Sequence, residues 1–215
     1  MGKIIAGPWA PFHGKVGNIV GQIYDGMNVI KQYQPVVRNP RTTKQELVRK
    51  KFMYLVDSWR WFRNGALLGL STASSRERKS AFALFMKKNW QAMSGSEPDN
   101  ISMEMANVIV ATGTFPGIIP SGQPTSEDPG AISIRWNTLD DEPGSDDFDT
   151  VYILCVDPEG KYSALFMYNR NNHSADMDLP AYMTGHSICI YGFTQSHDDP
   201  TKFSDSVYFG KTTLS

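Results

Sequence analysis

From residue 107 to its end the chain falls into seven short apolar runs, and this cadence constrains the fold more than any other feature. The runs cover residues 107–115, 131–137, 149–156, 161–168, 174–179, 186–194 and 203–213. Turn-forming clusters separate them: "PSGQPTSEDPG", "DDEPGSDD", "DPEGK", "NRNNH", "PAYMTG" and "QSHDDPT". Strands this short and evenly spaced, with alternating patterning, predict two antiparallel sheets packed as an immunoglobulin-like sandwich.

The upstream half runs on a different period. "GKVGNIVGQIYDGMNVIKQY", residues 14–33, holds four glycines and two lysines. A phosphate-cradling loop needs GxxxxGK followed by Ser or Thr, but Gly7 stands too far from Gly14, and Val16 replaces the hydroxyl. The stretch is β-branched and aromatic, broken by Asp25-Gly26, a preferred pair for a two-residue turn. It predicts a β-hairpin of residues 17–24 and 27–33, ended by Pro35 and Pro40. "TKQE", residues 43–46, has the form of a capping box. Val48, Phe52, Leu55, Val56, Trp59 and Phe62 then recur at helical spacing, with Asn64-Gly65 as the stop. The other face carries Lys44, Arg49, Lys50, Arg60 and Arg63. A second helix is expected from Ser74 or Ser75 to Ser94-Gly95. The aromatic stripes predict helix packing rather than a cofactor box. The fold class is therefore α+β: an N-terminal β-hairpin plus two helices, then a seven-stranded immunoglobulin/fibronectin III-like β-sandwich. The regions are a basic one over 1–95, a connector over 96–106 and the sandwich over 107–215.

Charge divides along the same line. Up to Ser94 there are sixteen Lys and Arg against four Asp and Glu; beyond it there are five against eighteen. The two parts carry +12 and −13, which cancel to the net −1 of the chain. Such a split predicts either two solvated faces or an acidic partner for the basic half: nucleic acid, another protein, or the acidic half of a second copy.

Motifs for chemistry are sparse. Cys155 and Cys189 lie in strand-like runs without a CxxC or Cys/His cluster, so free buried thiols are expected rather than a metal site. His13, His173, His186 and His197 form no HExxH pattern, and no GxSxG elbow occurs. The loop of residues 140–149 offers Asp140, Asp141, Asp146, Asp147 and Asp149 as hard oxygen donors but lacks the order of an EF-hand, and a solvated strand connection is the expected reading. No apolar run is long enough to span a membrane, and the start of the chain lacks the apolar core of a secretory signal. These readings predict no enzyme activity, no cofactor and no metal, in a chain made in the cytoplasm without a cleaved leader.

Two resemblances add to this. The strand-rich half resembles a fibronectin type III domain. Trp136 falls where that family carries its core tryptophan, and "LPAYMTGHSICIYGF" is similar to its approach to the sixth strand, with His186 at the place of a tyrosine. The whole chain is similar to a family of uncharacterised proteins from Bacteroidota and their phages, through "GKVGNIVGQ", "GMNVIKQ", "RNPRTTKQELVRKKF" and "SDSVYFG". That resemblance implies the two-part architecture and carries no activity.

The expectation for function is a non-enzymatic structural protein that assembles with itself and other structural proteins. A phage or prophage virion component (connector, tail or capsid-associated) fits this description, with a cytoplasmic location as the alternative. Trp9 and Phe12 in "GPWAPFHG" are the expected anchors of an extended arm in a neighbouring subunit. The alternative is a nucleic-acid-binding module. Its contacts would be Arg38, Arg41, Lys44, Arg49, Lys50 and Lys51, the same residues that would meet an acidic protein partner, with Tyr33, Tyr54 and Trp59 as stacking faces.

Overall fold

The computed structural model describes residues 12–24, 26–36, 41–138 and 145–215, and the backbone of 2–4. Contacts divide the chain into two units, Met1–Thr42 and Thr43–Ser215.

In the first unit β1 (Gly2–Ile4), β2 (Gly14–Val16), β3 (Ile19–Tyr24) and β4 (Met27–Gln32) form one antiparallel sheet in the order β1-β4-β3-β2. The expected hairpin is its centre: Tyr24 pairs with Met27 across a two-residue turn in which Gly26 has φ +72°. That conformation is open to glycine at no steric cost. Asp25 lies outside the described residues.

The second unit begins with α1 (Thr43–Gly69), α2 (Ser71–Glu77) and α3 (Ala81–Asn89). Asn64-Gly65 does not stop α1. A Cβ at Gly65 would lie 2.8 Å from Leu154 Cδ2, so this glycine lets the helix run on in close contact with the strands below. The second expected helix is two helices. Arg78 turns left-handed at φ +52°, and the Ser80 hydroxyl caps α3 by accepting from Ala83 N at 3.2 Å.

After α3 come β5 (Met93–Ser94), β6 (Ser102–Met103), β7 (Ile118–Pro120), β8 (Ala131–Thr138), β9 (Thr150–Asp157), β10 (Tyr162–Asn169), β11 (Ser174–Asp178), β12 (Ser187–Gln195) and β13 (Val207–Thr213). Six of the seven expected runs hold one of these strands. Residues 107–115 do not form one. Their backbone is extended but bonded piecemeal: the Asn89 side chain donates to Ile109 O and accepts from Ile109 N, and Ser206 Oγ accepts from Val110 N. Side chains thus satisfy the polar backbone beside buried Val108 and Val110, and no ladder is needed.

The sheets run β10-β9-β12-β13 and β11-β8-β7, all antiparallel. One core holds Trp136 and Met177 from the smaller sheet with Ile153, Cys155 and Ile190 from the larger. A second core lies on the other face of the larger sheet, where Leu154, Tyr191 and Phe193 meet Leu55, Phe62 and Phe85 of the helices. The layers are helices, four-stranded sheet, three-stranded sheet. The helices therefore share a core with the strands, and the contact boundary falls at Thr42/Thr43 rather than across residues 96–106.

Candidate assembly surface

α1 is buried only from Leu55 onward. Its buried residues are Leu55, Ser58, Trp61, Phe62, Gly65, Ala66 and Gly69, and none precedes Leu55. Val48, Phe52 and Val56, expected in the core, face solvent together with Met53, at 52%, 51%, 37% and 69% exposure. Their spacing puts them on neighbouring turns of one face. The periodicity correctly gave a helix, but it carries no information on which turns meet the rest of the fold.

Beside this stripe lies a groove of about 710 Å³ walled by Phe52, Met53, Tyr54, Val56, Pro98 and Ile101. Ion pairs edge it: Lys50 Nζ to Asp99 at 2.7 Å, and Asp57 to both Lys161 at 3.3 Å and Arg60 at 3.7 Å. The hydrogen bond between Lys50 and Asp99 raises the lysine above its ordinary pKa and lowers the carboxyl below its own. Burial, with the Asp57 charge adding to it, pushes up the Tyr54 phenol.

Of the residues expected to make contacts, Trp9 and Arg38 lie outside the described residues. Phe12 sits against Gly21 of its own chain, where a Cβ would overlap its ring. Arg41, exposed at φ +46°, belongs to the first unit. Lys44, Arg49, Lys50 and Lys51 lie on α1, and Lys50 is held by Asp99. The proposed stacking faces are already in use. Lys15 Nζ stands 3.5 Å over the Tyr33 ring, Trp59 packs edge-on to Phe85 at 5.3 Å, and Tyr54 edge-on to Trp61 at 6.1 Å. Met53 is the exposed apolar residue of this face absent from the sequence expectation, and its position next to Phe52 is the available signal.

The remaining chemical groups are held in structural roles. Both cysteines are free and buried; burial pushes the Cys155 thiol up to about 12 and Cys189 upward. Asp149 is fully buried, accepts from Asp146 N and His197 N, and stands 3.7 Å from the buried Arg170. Asp140 and Asp141 lie outside the described residues. Among the described residues no group of three or more His, Cys, Asp or Glu is placed to hold a metal ion. Among them also, no helix is long and apolar enough to cross a membrane.

Fold and surface together define an α+β protein with, among the described residues, antiparallel sheets and three α-helices, the longest of which exposes an apolar face. The chain belongs to the family described as "Family of unknown function (DUF6266)", which it matches over residues 11–210. No curated protein matches it.

Proposed function

We propose that this chain is a non-enzymatic assembly protein that docks head to tail on further copies of itself through the first half of α1. The observation that carries the reading is the exposed stripe Val48, Phe52, Met53 and Val56 beside its groove. An apolar face of this kind marks an interaction site. Charge selects the occupant. The helix around the stripe carries Lys44, Arg49, Lys50, Lys51, Arg60 and Arg63 against Glu46 and Asp57, so two copies of α1 repel each other. The complementary surface is acidic: Asp176 and Asp178 on β11, with Glu127 and Asp128 in the turn beside Ala131, are exposed. A contact between unlike faces closes into a ring or grows into a filament.

The finer fold reading belongs to the same proposal. A seven-stranded immunoglobulin/fibronectin III-like sandwich is supported by the four-plus-three strand order and by Trp136 in the shared core. The setting we propose is a virion, as part of a phage or prophage, where repeated head-to-tail contacts build connectors and tails.

Sedimentation of the full chain and of Met53→Lys tests the docking. The wild type is expected to form a discrete, salt-sensitive oligomer that shrinks in the variant without loss of thermal stability. A variant that sediments as the wild type does refutes docking by this face. A second reading, nucleic-acid binding, is favoured by Lys44 and Lys51, seven residues apart on one side of α1 and exposed or half-buried. It requires affinity for single- or double-stranded DNA that falls steeply with salt and drops in Lys44→Gln/Lys51→Gln.

A further inference from the structure

β10 is an edge of the four-stranded sheet. Its eight residues, "YSALFMYN", contain no charged residue and no proline. Natural edge strands are protected from pairing by charges, prolines, bulges, shortness or cover. This one is long and pairs regularly with β9 from Tyr162↔Asp157 to Asn169↔Thr150, without a bulge. Among the described residues, no backbone group of Tyr162–Asn169 bonds to any other element. Met167 stands 67% exposed on it.

We propose that β10 is a self-pairing edge, along which two copies of this chain join antiparallel about a two-fold axis into one eight-stranded sheet. A two-fold axis normal to the sheet preserves its faces, so residues of equal parity oppose each other. Leu165 packs toward the helices, and Ala164, Phe166 and Tyr168 pack toward the other core. With the axis at Leu165, Phe166 meets Ala164 of the second copy, and Met167 meets its Ser163. Tyr168 meets Tyr162 as an aromatic pair and Leu165 meets its own copy on the axis, and no like charges meet. The ends of the strand add complementary charge. Lys161, exposed, precedes it; exposed Asp147 stands beyond its far end, because Asn171 N donates to Asp147 O at 3.2 Å. Antiparallel pairing brings each Lys161 toward Asp147 of the second copy, twice in one interface. That reciprocity favours a second copy over an extended peptide from another protein. The edge uses none of Phe52, Met53 and Val56; it shares with the rim of the α1 groove only Lys161, which pairs with Asp57 of its own chain.

Light scattering on the full chain carrying Met53→Lys, which removes docking through α1, tests this directly. A dimer is expected there. Adding Met167→Lys should give a monomer with an unchanged unfolding midpoint, since that side chain is exposed. Lys161→Asp or Asp147→Lys alone should weaken the dimer several-fold, and the two together should restore it. A Met53→Lys chain that is monomeric at about 100 µM, or a dimer indifferent to Met167→Lys, overturns the proposal. Failure of docking through α1 shows only in the wild-type comparison and leaves these outcomes unaffected.

Discussion

Gly69, the last residue of α1, lies directly against Ala111: a Cβ on the glycine would stand 2.8 Å from Ala111 Cα and 2.9 Å from Val110 O. The adjacent Thr112 N donates to Gly69 O at 3.1 Å, which ties the helix end to the extended segment. In a solvated helix Gly→Ala stabilises by about 1 kcal/mol. Here the obstacle is backbone, which has no rotamer by which to move away. Gly69→Ala should therefore destabilise by about 1–3 kcal/mol in urea unfolding. A gain in stability would show that the approach is looser than described.

Arg170 is buried, with Nη1 donating to Pro116 O at 3.1 Å and Nη2 to Gly117 O at 3.0 Å. Its carbonyl accepts from Trp136 Nε1 at 3.1 Å, and Asp149 lies 3.7 Å from its guanidinium. Arg170→Met should cost about 3–5 kcal/mol, because it takes the cation from the buried Asp149 and the guanidinium donors from Pro116 O, which keeps Thr194 Oγ1, and Gly117 O. Denaturant titration checks this, and a cost under about 1 kcal/mol would contradict the role given to the network.

His186 occupies the place where the fibronectin resemblance expects a tyrosine. Its Nδ1 lies 2.7 Å from Oδ2 of the fully buried Asp157, whose Oδ1 accepts from Glu159 N and Gly160 N. The hydrogen bond to Asp157, aided by the charges of Asp157 and Glu159 and opposed by desolvation, raises the imidazole above its ordinary 6.5. A group raised on folding stabilises fully below its unfolded pKa, and that contribution is lost as pH rises through the folded value. The melting temperature should thus fall between about pH 6 and about pH 8, and His186→Gln should flatten that slope. An identical slope in the variant would sink the assignment.

Cys155 is buried, and its thiol is pushed up to about 12, so little thiolate exists at neutral pH. Iodoacetamide should leave it unmodified in the native chain and label it after unfolding. Rapid native labelling, read by mass spectrometry, would show that the core opens.

The sequence disclosed more of the strand core than of the surface. β9 and β12 are buried along nearly their whole length, on both faces, because helices cover one side and β8 and β11 the other. Their unbroken runs, "VYILCV" and "ICIYGF", already departed from the alternation of a two-layer sandwich and carried the signal of a third layer. Residues 107–115 were read as a strand because apolar content marks burial; only the Asn89 and Ser206 hydrogen bonds reveal that burial without a ladder. Gly65 was read as a stop because local propensity holds no record of Leu154, far along the chain. The stripe on α1 has a related cause: Val48 and Phe52 have the period of a core face, yet both stand about half exposed among the described residues.

Assembly through that stripe shows first in the mass of the full-length chain in solution. Light scattering would be run at about 50 mM and about 500 mM salt, beside Met53→Lys and the charge reversal Asp176→Lys/Asp178→Lys. A discrete multimer is expected at low salt, shrinking at high salt and in both variants, with unchanged melting temperatures. A wild-type chain with one mass at both salts, shared by both variants, would contradict it.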